Sequence, residues 1–224
     1  MESTNLDPGS LSIVSFHLPL EKIIWLLLFV NNLPYPIIMG LLVSTVTRSF
    51  ELEQILQLQQ ENLVSVLPLA EIQSEGFVTM HHTFEILQQM HRLAPSIIIK
   101  DAEKVIAYAL VMLRECRYIF PPLEPMFAVF DELYWKNKSL NSYQFYVMGQ
   151  ICIDKKYRGQ GLFELLYEKH KEIYKDRYDC IVTEIALRNK RSMRAHQRIG
   201  FSTIHIYPDQ LDEWAVVVWD WRNS

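Results

Sequence analysis

Residues 42–47 read Leu42, Val43, Ser44, Thr45, Val46, Thr47, a short β-branched run that predicts a strand. The period then changes. Leu52, Ile55, Leu56 and Leu58 recur among Glu and Gln at the spacing of an amphipathic helix. Residues 83–92 repeat that spacing with Phe84, Ile86, Leu87 and Met90. Pro95 ends this helix, because a proline pushes the residue before it out of the α region. Residues 96–100 and 105–113 predict a strand pair around the polar turn Asp101, Ala102, Glu103, Lys104. Residues 143–154 are the longest strand candidate. Residues 162–174 predict a helix with Leu162, Leu165, Leu166 and Ile173 on one side. A buried strand at 180–186, a helix at 190–199 and strands at 202–207 and 214–221 complete a mixed α/β order with strand–helix–strand units in its second half.

Two stretches break the rhythm. Residues 114–142 hold Pro121, Pro122 and Pro125 among Tyr118, Phe120, Phe127, Phe130, Tyr134 and Trp135, which predicts a long connection. Such a segment either serves function or caps the core with aromatic rings, and both readings stay open. Residues 23–30 are strongly apolar but resemble no secretory signal, since Glu2, Asp7 and Glu21 precede them against one Lys22. A membrane span needs about 20 apolar residues, and Asn31, Asn32, Pro34 and Pro36 interrupt this run. Residues 1–38 are therefore either a real extension or lie upstream of a natural start at Met39. The second reading fits better, because the regular strand-then-helix pattern begins just after Met39. The domain is expected over 39–224.

Composition narrows the function. Half of the 224 residues are apolar, enough for a packed core. A net charge of -4 gives no overall attraction to nucleic acid or an anionic membrane, so neither is expected as a partner. Cys116, Cys152 and Cys180 are odd in number and form no CxxC pair; they read as buried reduced thiols in a cytoplasmic protein. A reactive cysteine is the sharper alternative. His81, His82 and His91 have no carboxylate or Cys at a spacing that completes a ligand set, so no metal is expected. They read as solvent-facing or acceptor-pocket residues.

The chemistry concentrates at residues 151–162. A strand through Ile151, Cys152 and Ile153 ends at Asp154. Lys155, Lys156, Tyr157, Arg158, Gly159, Gln160 and Gly161 follow, and a helix opens at Leu162. Glycines let the backbone approach a ligand and aim successive N–H groups at one point. The helix N-terminus adds free amides and the positive end of its dipole. With three cations, the segment suits a diphosphate. It is neither GxGxxG nor GxxxxGK[ST], so nicotinamide and ATP chemistry are disfavoured.

Lys156, Tyr157, Arg158, Gly159, Gln160 and Gly161 resemble the Q/R-x-x-G-x-G/A pyrophosphate loop of the GNAT acetyltransferase superfamily, with Lys156 in place of Gln or Arg. Asn189 with Ser192, and Gly200 with Phe201, resemble its second signature. The resemblance covers about residues 40–221 and is strongest over 143–206. It implies a mixed, mostly antiparallel central sheet flanked by helices and splayed between the family's fourth and fifth strands. It also implies acetyl-CoA as co-substrate, held by Ile151, Cys152, Ile153, Lys156, Arg158, Gly159, Gln160, Gly161, Leu162, Asn189 and Ser192.

The implied reaction is direct acetyl transfer to a primary amine of a small metabolite or of a peptide or protein N-terminus, with no acyl-enzyme. A backbone N–H near Ile151 polarises the thioester carbonyl. Glu184 stands where a strand Glu serves as base in members acting on protein N-termini; pairing with an arginine or facing water is the structural alternative. His196 replaces a helix Tyr that serves as acid, so it is a candidate acid, a partner of the CoA sulfur, or a packing residue. Tyr118, Tyr134, Trp135 and Tyr146 are candidates to shape the acceptor pocket. Trp214, Trp219 and Trp221 suit burial against the sheet or a homodimer partner. The rival function is a non-catalytic acyl-CoA sensor on the same fold.

Overall fold

The computed structural model describes residues 40–222. The readings for residues 1–38, for the apolar run at 23–30 and for a start at Met39 lie outside the described residues. The first half of the chain forms β1 (Leu41–Thr45), α1 (Ser49–Gln60), α2 (Leu69–Ser74), α3 (Phe84–Leu93), β2 (Ile97–Asp101) and β3 (Lys104–Met112). Then come α4 (Cys116–Ile119), α5 (Glu124–Glu132), β4 (Tyr134–Trp135), β5 (Lys138–Ser139) and β6 (Phe145–Ile153). The remainder is α6 (Leu162–Tyr174), β7 (Cys180–Ala186), α7 (Lys190–Ile199), β8 (Ser202–Pro208) and β9 (Glu213–Asp220).

Seven strands make one sheet in the order β1-β2-β3-β6-β7-β9-β8, with β4 and β5 a separate hairpin. Every pairing in the large sheet is antiparallel except β6 with β7. Strands β2 and β3 are buried along nearly their whole length. Helices α1 and α3 pack against β3 from one side, and α6 covers β1, β2 and β3 from the other. Sheets covered on both faces read as continuous apolar runs, as Ile97, Ile98 and Ile99 do here.

Local chemistry sets the element ends. At the start of α1 the Glu51 carboxylate accepts from the amides of Thr47 (2.7 Å) and Arg48 (3.0 Å) and pairs with Lys100 on β2 (2.7 Å). Burial pushes this carboxyl up, but the Lys100 ammonium and the two amides outweigh it and hold the pKa below its usual value. Helix α7 begins where the Asn189 side chain accepts from the Ser192 amide (3.2 Å) and ends at Gly200 with φ +112°. A Cβ on Gly200 would also meet the Trp219 ring at 3.1 Å.

Residues 114–142, expected as a long connection, are largely folded. They form α4, a 3-10 turn at Pro121–Leu123, α5 and the β4–β5 hairpin. Pro125 sits in the first turn of α5, where its missing N–H has no intrahelical acceptor to lose. Leu123, Met126, Phe127 and Phe130 are buried at helical spacing, so the rings cap the core. The buried stripe of α6 also differs from expectation: Leu162, Leu166, Tyr167, His170 and Tyr174 are fully buried, whereas Leu165 and Ile173 are half-buried. Aromatic and imidazole rings occupy core positions there, so counting aliphatic residues alone rotates the face.

The feature that positions the site is a split in the sheet. β6 pairs with β7 only from Phe145 opposite Cys180 to Val147 opposite Val182. The Thr183 hydroxyl donates to the Met148 carbonyl (2.8 Å), and no further rung follows. On the other side of β6, Ala109 faces Ile151 and Val111 faces Met148, so one extra residue of β6 is taken up as a bulge at Gly149 and Gln150. A buried network holds the bulge. The Gln150 side-chain carbonyl accepts from Tyr108 (2.6 Å) and Gln59 (2.5 Å), and its NH2 donates to the Met80 carbonyl (2.8 Å). Gln59 in turn accepts from the His82 amide (2.8 Å) and lies 3.0 Å from His82 Nδ1. These bonds tie β6, β3, α1 and the segment before α3 into one polar knot, where an unpaired member would be costly.

Candidate active site

The gap between β6 and β7 holds two adjoining cavities. The larger, about 380 Å³, is walled by Ile151, Cys152 and Ile153 of β6, by Gly159, Gly161 and Leu162, and by one face of α7. Gly159 (φ +76°) and Gly161 (φ +80°) adopt the left-handed conformation, which a residue with a Cβ occupies at a cost of about 1–2 kcal/mol. Gly161 is the N-cap of α6, so first-turn amides without intrahelical partners open on the cavity. Asp154 anchors the loop: its amide donates to the Ile106 carbonyl (2.8 Å) and its carboxylate accepts from the Lys156 amide (3.0 Å).

The cations are arranged differently from expectation. The Arg158 guanidinium is tied down through all three nitrogens, donating to the Ile153 carbonyl (3.0 Å), Glu75 (2.8 Å) and Asn62 (2.6 Å). It pins the loop to the end of α1 and to Glu75, which Arg191 also contacts. Lys155 pairs with Glu71. Lys156 and Gln160 are exposed and lie outside the cavity lining. Arg191, Arg194 and Arg198 of α7 line the cavity together with Arg158, against one carboxylate, Glu164. The sequence reading missed these three, although their i, i+3, i+7 spacing puts them on one helix face. Asn189 and Ser192 border both cavities; the Asn189 NH2 also donates to the Phe77 carbonyl (3.1 Å), fixing the 76–80 segment over the gap.

The smaller cavity, about 100 Å³, lies beside the first and carries Glu184 and His196 on its walls. Glu184 accepts a hydrogen bond from the Tyr207 hydroxyl of β8. Burial without a cation pushes its pKa up to about 7, only partly offset by that hydrogen bond. Neither expected alternative, an arginine partner or a free aqueous face, describes it. Tyr207 was not anticipated, because its link to Glu184 arises only where β7, β9 and β8 stack side by side.

His196 has both ring nitrogens engaged. Nδ1 lies 2.8 Å from the Ser192 carbonyl, which can only accept, so Nδ1 carries the proton. Nε2 then accepts from the Tyr167 hydroxyl at 2.7 Å. Burial lowers the imidazole pKa to about 4, and the ring is packed edge-on against Phe163, Tyr167 and Phe201.

The four aromatic residues named for the acceptor pocket line neither cavity. Tyr118 and Tyr134 are exposed on α4 and on the hairpin. Trp135 packs on Tyr143, with ring centroids 4.9 Å apart. Tyr146 is fully buried on the α6 side, its hydroxyl 2.8 Å from His170 Nδ1. All three cysteines are buried, and burial pushes Cys116 up to about 11 and Cys152 and Cys180 up to about 12, so none carries thiolate at neutral pH. Among the described residues no group of three His, Cys, Asp or Glu is placed to hold a metal, and no helix is long and apolar enough to cross a membrane.

The acetyltransferase (GNAT) family model matches residues 54–201. Among solved structures, Ard1 from Thermoplasma volcanium matches with a TM-score of 0.55 and 11% identity, covering 81% of this chain and 98% of that one. The NatC complex bound to Gag peptide and CoA gives a TM-score of 0.55 at 11% identity, covering 82% and 99%. NAA60 from Arabidopsis thaliana, in complex with acetyl-CoA, gives 0.54 at 12% identity, covering 81% and 99%. No curated protein matches in sequence. The chain belongs to the GNAT acetyltransferase family, and its reaction class is acyl transfer.

Proposed function

We propose, from family membership and the geometry of the split sheet, that the chain transfers acetyl from acetyl-CoA directly to a primary amine of a small metabolite or a peptide or protein N-terminus. One observation carries the reading. A single gap in the sheet has an N–H-rich glycine loop and the α7 arginines at one end and, at the other, a carboxylate with a pKa near neutral. Acetyl-CoA supplies the activated acetyl group and a thiolate leaving group. Amides at residues 159–162 and the α7 arginines suit its phosphates, and the apolar edge of Ile151 and Ile153 suits its pantetheine arm. The CoA- and acetyl-CoA-bound states of two structural neighbours support this donor.

The residues divide the work. The bulge at Gly149 and Gln150 frees backbone N–H groups near Ile151 to polarise the thioester carbonyl, and Gln150 is a positioning residue for them. Glu184 takes the proton from the acceptor ammonium: a base titrating near 7 is ionised at working pH yet basic enough to accept. Tyr207 orients that carboxylate. His196 positions α7 and the cavity wall instead of acting as acid, because its one ring proton is committed to the Ser192 carbonyl. The departing thiolate then takes its proton from solvent. No cysteine is needed as nucleophile.

Thiol release from acetyl-CoA, followed across amines and short peptides, tests the reading. Amine-dependent release is expected from the wild type and from His196→Phe, and it should collapse in Glu184→Gln while CoA affinity by calorimetry stays unchanged. Tight CoA binding with no release on any amine would instead support the sensor reading.

A further inference from the structure

The smaller cavity faces Glu184 with a wall rich in methionine and free of any cation. Met80 precedes α3, Met112 ends β3, Leu123 and Met126 come from the turn and α5, and Met148 from β6. Glu184 is the only charged side chain on this wall. The cationic residues of the cleft, Arg158, Arg191, Arg194 and Arg198, all line the other cavity. Three polar neighbours are committed: Thr183 to the Met148 carbonyl, Gln150 to its three partners, Asn189 to Phe77 and Ser192; Thr79, Ser192, His196 and Trp214 complete the polar part of the wall, and all are uncharged.

We infer that the acceptor is a primary amine borne on an uncharged apolar group, and that amines carrying a carboxylate beside the reacting nitrogen, or a second ammonium within the pocket, are excluded. This rests on the acetyl-transfer reading of the cleft. A carboxylate next to the amine would lose its hydration with no cation to replace it and with the Glu184 carboxylate close by, which leaves it an unpaired charge. A second ammonium would find its one possible counter-charge already used by the first. An apolar substituent meets unbranched thioether side chains that adapt to its shape. About 100 Å³ suits a substituent of a few heavy atoms. The selection is set as much by what the wall lacks as by what it offers.

Bisubstrate conjugates, in which the CoA sulfur is joined through an ethylene linker that leaves the reacting nitrogen a charged secondary amine of leucinamide, leucine or putrescine, test this by calorimetry on the full chain without requiring turnover. The leucinamide conjugate is expected to bind at least about ten-fold tighter than CoA, and the leucine and putrescine conjugates no tighter than CoA. A leucine or putrescine conjugate equal to the leucinamide one overturns the inference. So does a leucinamide conjugate no better than CoA, which would leave the donor reading standing. CoA itself failing to bind overturns both. Met80→Lys, on a half-buried residue whose backbone contact is unaffected, is expected to tighten the leucine conjugate by about ten-fold. If that variant does not fold, the wild-type series still decides.

Discussion

On the side of the cleft proposed for the donor, the lining comes mainly from residues 151–164 and one face of α7, with Ser74, Gly76 and Phe77. On the acceptor side it comes from separate places in the chain: Met80, Met112, Met126, Met148, Glu184 and, behind Glu184, Tyr207. On the proposed reading the donor side works mainly through backbone amides and arginines, the acceptor side through side chains and the absence of cations. A diphosphate can be held by the backbone wherever a glycine loop meets a helix N-terminus, so the same local solution serves any acceptor. Choosing an amine requires shape and desolvation, which no single element supplies.

If the halves are separable, Glu184→Gln should lower kcat by about 10²–10⁴-fold, the range for a positioned base, while leaving the CoA Kd unchanged. A parallel loss of CoA affinity would break the division. Next in size is the pH response. The base must be ionised, so kcat/KM should fall as pH drops below about 7, by roughly ten-fold per pH unit. Tyr207→Phe removes a hydrogen bond that favours the ionised form and should move this limb to higher pH. In Glu184→Gln the limb should vanish.

On the donor side, Gly161→Ala forces a Cβ into φ +80° and should weaken CoA binding by about ten-fold with little change in the pH limb. A smaller effect has the opposite sign. The folded-state pKa of Glu184 lies above the ordinary carboxyl value of 4.5, so the native protein binds the proton more tightly than the unfolded chain does. The native state therefore loses stability as pH rises from about 4.5 to about 7. Glu184→Gln, whose amide oxygen still accepts from Tyr207, should be more stable than wild type by about 1–2 kcal/mol at pH 8, with the gain disappearing near pH 4.5. Chemical denaturation at the two pH values reads this. Glu75→Gln should tighten CoA binding by up to about five-fold, since the half-buried, partly solvated pairing it removes is worth about 1 kcal/mol.

Much of the fold was legible because its signals are local. The apolar periods of α1, α3 and the last four strands, and the positive-φ glycines opening α6, need no distant partner to be read. The loop at 156–161 was recognisable for the same reason: backbone recognition of a diphosphate fixes glycine at given spacings. The segment 114–142 was not, because three prolines read as breakers while Pro125 in fact sits in a helical first turn.

By itself the sequence determined the α/β order, the glycine loop that opens α6 and the family resemblance, since each depends on residues close along the chain. Only the tertiary structure decided that Arg158 is tied down by Glu75, Asn62 and the Ile153 carbonyl, that His196 is a neutral imidazole with both nitrogens engaged, and that Glu184 meets Tyr207 and no cation. A side chain's charge state depends on what surrounds it in space. Those surroundings are set by strand order and helix packing, which bring together residues as far apart as 62 and 158.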